Sequence, residues 1–355
     1  MKINMKTLKE TIESIQKIDG TLESEVNAHL DDLTKPPGSL GKLEDFARRF
    51  CLITESAKPT LTKKKIFTFA ADHGVAEEGV SAFPQEVTYQ MVLNMINQTA
   101  AINVLCRHCG IESTVVDVGV KGEFEDLPGL EKRKVSLGTK NMAIGLAMTI
   151  EQTEEAIQVG VDCAQSAIND GFHILGTGDM GIANTTASAA LMACLLPCDV
   201  PSITGRGTGI DAAGVENKIK VIEKSIQANK SLMDDPLSVL SAVGGLEIAA
   251  ICGFILGAAS NKTPVVVDGF ISSSAALVAC KMSENVKDYL FFSHASAEKG
   301  YQKFSEIFGV DAMLNLQMRL GEGTGAALAI SLIEASVKIY NEMATFSSAQ
   351  VSNKD

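Results

Sequence analysis

Residues Ile174–Thr186, I-L-G-T-G-D-M-G-I-A-N-T-T, limit the possible folds more than any other stretch of this chain. The apolar run Phe172–Leu175 leads into them. Glycines follow at G-x-G-x-x-G spacing (Gly176, Gly178, Gly181), then Asn184, Thr185 and Thr186, and an alanine-rich helix pattern through Leu196. A strand, a glycine turn and a helix start in that order bring backbone N–H groups and a helix N-terminus to one point, which suits an anion. Glycine allows close approach and positive φ there. A tight strand-to-helix turn with no ligand has the same pattern, and spacing alone does not separate the two.

The strand-then-helix pattern recurs along the chain. Apolar runs at Ile66–Ala71, Glu112–Val120, Thr263–Gly269 and Tyr289–His294 read as strands. Helical spacing is read over Lys42–Thr54, Glu86–Cys106, Thr153–Asn169 (with a partial capping box), Ala212–Ala228, Leu246–Ala259, Phe270–Lys281 and Ala326–Ala344. Gly122–Gly138 reads as a charged loop, and Pro36 and Pro37 make Thr34–Gly41 an ordered loop. Residues 1–33 read as two surface helices. Alternating strands and helices predict an α/β fold: a parallel sheet flanked by helices, a Rossmann-like three-layer arrangement. Ligands in such sheets bind outside the carboxyl ends of the strands, where most of the unusual loops converge. With 355 residues, 46% of them hydrophobic, the chain can form one large domain or two unequal ones. The terminal helices are expected to pack together, giving a small helical domain from 1–60 plus 327–355 and a large α/β domain from 61–326.

A net charge of −12 disfavours nucleic acid as a partner. No apolar run is long enough for a membrane span, and the start M-K-I-N-M-K-T-L-K-E is too charged for a signal peptide. The scattered cysteines suit reduced thiols and a cytoplasmic setting. Cys106-Arg-His-Cys109 has C-x-x-C spacing but no second pair at zinc-site distance, so it reads as buried thiols.

Several chemistries fit parts of the pattern. The glycine fingerprint with Asp199 about 20 residues on suggests a dinucleotide dehydrogenase, but Leu195-Leu196-Pro197-Cys198 is no strand and leaves Asp199 misplaced. Further glycine loops, at Gly205, Gly207 and Gly209 and at Gly321, Gly323 and Gly325, suit a phosphorylated sugar. No Walker A sequence occurs. Lys218 could face a phosphate or simply solvent. Glu322, between two glycines, is the most pointed candidate for a base, since burial would raise its pKa. Asp72, Asp179 and Asp268 stand at strand-to-helix turns, where aspartate also caps helices. His73 and His294 could be acids, bases or structural histidines.

Taken in order, the motifs T-K-P-P-G-S-L-G-K-L-E (34–44), A-D-H-G-V (71–75), G-V-S-A-F-P-Q-E-V-T (79–88), G-T-G-D-M-G-I-A-N-T-T (176–186), G-R-G-T-G-I-D (205–211), V-V-D-G-F (266–270), S-H-A-S-A-E-K-G (293–300) and R-L-G-E-G-T-G-A (319–326) cover nearly the whole chain. In these the sequence resembles the nicotinate-nucleotide–dimethylbenzimidazole phosphoribosyltransferase family, which activates the lower ligand of cobalamin. The resemblance implies transfer of phosphoribose from nicotinate mononucleotide to a benzimidazole nitrogen, with inversion at the anomeric carbon and release of nicotinate. It implies Glu322 as the general base. Phosphate and ribose contacts would fall on Gly178, Asp179, Met180, Gly181, Ile182, Lys218, Asp268, Gly269 and Ser296. Phe83, Met91 and Leu320 would wall the base pocket. It implies no metal or other cofactor, and a homodimer. Many members have glutamate at the position of Asp179 and glycine at that of Ala183. A nucleotide-binding regulatory protein without catalysis is the alternative to an enzyme.

Overall fold

The structure, a computed structural model, describes residues 7–349 and 351. The first six residues, residue 350 and residues 352–355, all assigned above to the small helical domain, lie outside the described residues. The strands are β1 (Lys64–Ala71), β2 (Glu112–Gly119), β3 (Leu130–Lys132), β4 (Ile174–Met180), β5 (Val265–Val267) and β6 (Leu290–Phe292). They form one parallel sheet in the order β3-β2-β1-β4-β5-β6. The expected α/β fold is therefore present. Strand order reverses between β1 and β4, and at such a point neighbouring crossovers part and leave a crevice beyond the strand ends.

Side-chain alternation along β1 builds both faces of the sheet. Phe67 and Phe69 pack against Phe254 of the Leu246–Ala259 helix, tilted and edge-on, with ring centroids 5.1 and 5.4 Å away. Ile66 and Thr68 point the other way, toward the Thr324–Glu342 helix and the loop before it. Every residue of the Leu246–Ala259 helix is buried, because the Ile150–Asn169 helix covers its outer side. Glycines let these two helices touch backbone to backbone: a Cβ on Gly253 would lie 1.9 Å from the Ile157 carbonyl oxygen.

Several boundaries differ from expectation, each for a physical reason. Gly176 and Gly178 lie inside β4 and not in a turn. The Glu86–Cys106 pattern is two helices, Glu86–Ile96 and Ala101–Cys109, separated where Gln98 takes a left-handed φ of 62°. The Ile150–Asn169 helix is capped by Thr149 with Gln152 in a complete capping box, so the helix starts one turn before the partial box at Thr153. The 122–138 segment contains the short edge strand β3. Pro236–Val243 and Lys299–Phe308 are additional helices, the first with Asp235 as N-cap and proline in its first turn.

Residues from both ends of the chain meet in one cluster. Val26, Leu30, Leu33, Ala47, Cys51 and Tyr340 form a hydrophobic cluster separate from the main core. The 34–41 loop stitches it to the end of the chain. Thr34 N–H donates to the Ala344 carbonyl at 3.0 Å, Leu33 bridges Thr345, and buried Lys35 pairs with Glu44 at 2.8 Å. Cys106 is buried and its thiol is pushed up to about 12 by desolvation, as expected for an inert thiol.

Candidate active site

The carboxyl ends of β1, β4, β5 and β6 face the loop that precedes the Thr324–Glu342 helix. Three successive residues there are left-handed: Gly321 (φ 86°), Glu322 (φ 64°) and Gly323 (φ 96°). Glycine takes this region freely, whereas for glutamate it costs on the order of 1 kcal/mol, so the surroundings must hold it. They do so through the backbone. Glu322 N–H donates to the Asp179 carbonyl (3.2 Å), and the Thr68 hydroxyl donates to the Glu322 carbonyl (2.8 Å). Asp268 accepts from Gly323 N–H (3.2 Å) and Ala326 N–H (3.0 Å), capping the helix. Gly178 lets the loop lie directly on β4, since a Cβ there would be 2.3 Å from the Glu322 carbonyl oxygen.

This setting places a carboxylate where water barely reaches. Glu322 is 4% exposed, and its Oε2 accepts from the Ile102 N–H at 3.3 Å. Desolvation raises its pKa, the Ile102 N–H works against that, and the nearby Asp268 charge adds to it. Asp179, at the end of β4, is held well above the usual carboxylate range, first by burial and then by the charges of Asp268 and Glu247. One of its oxygens accepts from Asn184 Nδ2 at 3.0 Å, and the other, Oδ1, has no protein partner. The chain leaves β4 through Gly181, Ile182 and Ala183, the last at φ 76°, into the Asn184–Leu195 helix. Ile182 N–H is already taken by the Thr88 hydroxyl at 3.1 Å. Beneath Gly181, buried His73 and Glu247 pair at 2.6 Å.

Lys218 does not face solvent. It is 1% exposed, and its Nζ donates to the Thr185 hydroxyl at 2.7 Å. Burial drops its pKa to about 8, against the pull of Glu298. Glu298 in turn accepts from Gly207 N–H at 3.2 Å, fixing the second glycine loop next to the lysine.

A cavity of about 270 Å³ opens among these groups. Asp179, Met180, Gly181, Ile182, Gly269 and Ser296 form its wall, and Phe83 and Leu320, 53% and 59% exposed, stand at its rim. Gly178, Asp268, Lys218 and Glu322 lie behind that wall: Glu322 next to lining Gly321, Lys218 behind lining Thr185. Met91 is half-buried on the Glu86–Ile96 helix against the core and does not line the cavity. Asn184, Thr185 and Arg319 line it without having been singled out as site residues, although the first two follow the glycine fingerprint. Among the described residues no group of His, Cys, Asp or Glu could hold a metal ion. The arrangement offers a desolvated carboxylate, a second carboxyl beside it, and a buried ammonium behind Thr185 on the wall of a sugar-sized cavity.

The chain is similar to known proteins over nearly its whole length. A family model described as phosphoribosyltransferase matches residues 15–351. The nicotinate-nucleotide–dimethylbenzimidazole phosphoribosyltransferase of Chlorobaculum tepidum is 58% identical over 342 residues, which is 96% of this chain and 97% of its own. The protein of the same name from Geobacter sulfurreducens is 52% identical over 351 residues, 99% of this chain and all (100%) of its own. Among solved structures, CobT from Thermus thermophilus superposes with a TM-score of 0.89 at 44% identity, covering 93% of this chain and 99% of that one.

Proposed function

The chain belongs to the nicotinate-nucleotide–dimethylbenzimidazole phosphoribosyltransferase family, and from that premise we propose that it transfers phosphoribose from nicotinate mononucleotide to 5,6-dimethylbenzimidazole or a related lower-ligand base. The products are α-ribazole 5′-phosphate and nicotinate. The observation that carries the mechanism is the Glu322 carboxylate, desolvated and fixed through its own backbone beside Asp179.

In this reading Glu322 removes the ring N–H proton of the benzimidazole. The other ring nitrogen forms a bond to the anomeric carbon. The bond from that carbon to the pyridinium nitrogen breaks, its electron pair stays on nitrogen, and nicotinate leaves. The leaving group departs from a cation, so it needs no strong acid. The raised pKa of Glu322 makes it a stronger base than a solvated carboxylate. The ionised Glu322 puts negative charge near the ribose, where positive charge grows at the anomeric carbon in the transition state, while Asp179, kept toward its neutral form by burial, stands beside it as a hydrogen-bonding group. Met180, Gly181, Ile182, Gly269 and Ser296 hold the sugar phosphate, and Gly178 seats the Glu322 loop behind them. Lys218 supplies its positive charge through and around Thr185, and Asp268 fixes the Glu322 loop. Phe83 and Leu320, at the cavity rim, serve the aromatic base.

The proposal extends to assembly. Exposed Phe83 and Leu320 at the cavity mouth support a homodimer in which a second copy covers the opening. The separate cluster around Tyr340 supports a small helical unit built from both chain ends, within the proposed 1–60 and 327–355, while Ile330 and Ile333 of the second stretch pack in the main core. The cytoplasm is the proposed location. Incubation with nicotinate mononucleotide and dimethylbenzimidazole, followed by chromatography for α-ribazole 5′-phosphate, tests the activity. Tight nucleotide binding with no product would turn the reading into that of a regulatory binding protein.

A further inference from the structure

One buried group on the cavity wall has no task in the reaction outlined above. His294 follows β6, is fully buried, and belongs to the wall. Its Nε2 has no hydrogen-bond partner in the protein. An idle polar atom of this kind is costly unless a ligand or water meets it. The ring is held in place from the opposite side. Nδ1 lies 2.9 Å from the Ser293 hydroxyl and 3.9 Å from Asp268 Oδ1, the second beyond hydrogen-bond reach. Gly325 leaves space for it, since a Cβ there would be 1.9 Å from Nδ1.

The position of the ring identifies its ligand. Nε2 sits against Gly269, 3.4 Å from where a Cβ on that glycine would be, and Ser296 is the next neighbour there. Gly269 is the N-cap of the 13-residue Phe270–Met282 helix, whose first residues Phe270 and Ile271 also line the cavity. A helix N-terminus favours an anion. When the Ser293 hydroxyl donates to Nδ1, the proton of the neutral ring rests on Nε2, and in the charged ring Nε2 is also a donor. Resting on the function proposed above, we infer that His294 is a positioning residue that donates from Nε2 to the 5′-phosphate of nicotinate mononucleotide, beside Ser296 and the start of the Phe270–Met282 helix. Asp268, which caps the Glu322 loop, lies 3.9 Å from the opposite side of this ring.

His294→Phe removes the donor and keeps a flat ring. His294→Gln retains an N–H donor near the position of Nε2. The KM for nicotinate mononucleotide and the inhibition constant of ribose 5-phosphate are expected to rise together by about 10- to 100-fold in His294→Phe, the loss of one charge-assisted hydrogen bond. The KM for dimethylbenzimidazole should stay unchanged, and His294→Gln should recover most of the loss. Thermal melting of both variants separates this effect from misfolding. A fall in kcat with both phosphate-dependent constants unchanged, an equal loss in His294→Phe and His294→Gln when both are folded, or no change at all would each overturn the assignment. Wild-type enzyme that makes no product would instead sink the underlying function, a result visible before any variant is made.

Discussion

The contact between Gly178 and the Glu322 loop sets up a sharp test. A Cβ at position 178 would lie 2.3 Å from the Glu322 carbonyl oxygen, 2.6 Å from its carbon and 2.8 Å from Gly323 N. Ordinary contact begins near 3.4 Å, so Gly178→Ala demands about 1 Å of movement. All three obstructing atoms are backbone and cannot rotate aside. β4 is paired with β1 through Thr68 and with β5, so the loop must move rather than the strand. The Thr68–Glu322 hydrogen bond should stretch, and the carboxylate should shift with it. Overpacking of this kind costs about 1–3 kcal/mol of stability. A misplacement of about 1 Å in a reacting group costs roughly 100-fold in rate. Gly176→Ala is the control. Its Cβ meets Ile66 Cγ1 at 2.7 Å and the Ile330 Cδ1 tip at 3.2 Å, side-chain atoms rather than the backbone of the Glu322 loop. Steady-state turnover and thermal melting on both variants decide the matter. Gly178→Ala should lose kcat about 100-fold, and Gly176→Ala should lose stability while keeping kcat. Near wild-type kcat in folded Gly178→Ala, or equal kcat losses in the two, would refute the claim that the loop is placed by direct backbone contact with β4.

Other expectations follow from the same geometry. Glu322→Gln should fold and lose about 10²- to 10⁴-fold in kcat, the usual worth of a general base, measured by product formation. The base works ionised and burial favours its neutral form, so wild-type kcat/KM should rise with pH through a midpoint above the ordinary glutamate value of about 4.3. Glu322→Gln should lack that limb in a pH–rate profile. Lys218 has its pKa lowered to about 8, so the free enzyme loses this positive charge as pH climbs past that point. The KM for nicotinate mononucleotide should therefore increase on the alkaline side, and Lys218→Ala should show the higher KM at every pH with a smaller effect on kcat.

Much of this was legible in the sequence because burial on both faces leaves a plain mark. β1, β4 and β5 read as apolar runs ending in a turn, and they fix the parallel sheet. β3 was not legible, since Leu130–Lys132 sits on an edge, half-exposed and only three residues long. The break between Ile96 and Ala101 has neither proline nor glycine, so nothing local marks it. Gly176 and Gly178 looked like turn glycines. They are strand residues kept bare for Ile330 and for Glu322, each more than 140 positions away. The importance of Glu322 could be suspected from the flanking glycines, whereas its bond to Ile102 N–H joins residues 220 positions apart. Lys218 looked like a solvent lysine because its helix carries charged residues around it. Which of them turned inward depended on Thr185 across the cavity wall.

The Thr324–Glu342 helix, about 28 Å long at 1.5 Å per residue, has its two ends in different cores. Ala326, Ile330 and Ile333 pack in the main core under the sheet, and Tyr340 belongs to the terminal cluster with Cys51 and Leu33. Neither cluster can come apart alone without tugging on a helix whose first turn is capped by Asp268 next to Glu322. Such a shared rod merges what would be two melting units into one. Heating or denaturant should therefore give a single transition, with amide exchange along residues 326–340 slow from end to end, and activity and tertiary structure should disappear together.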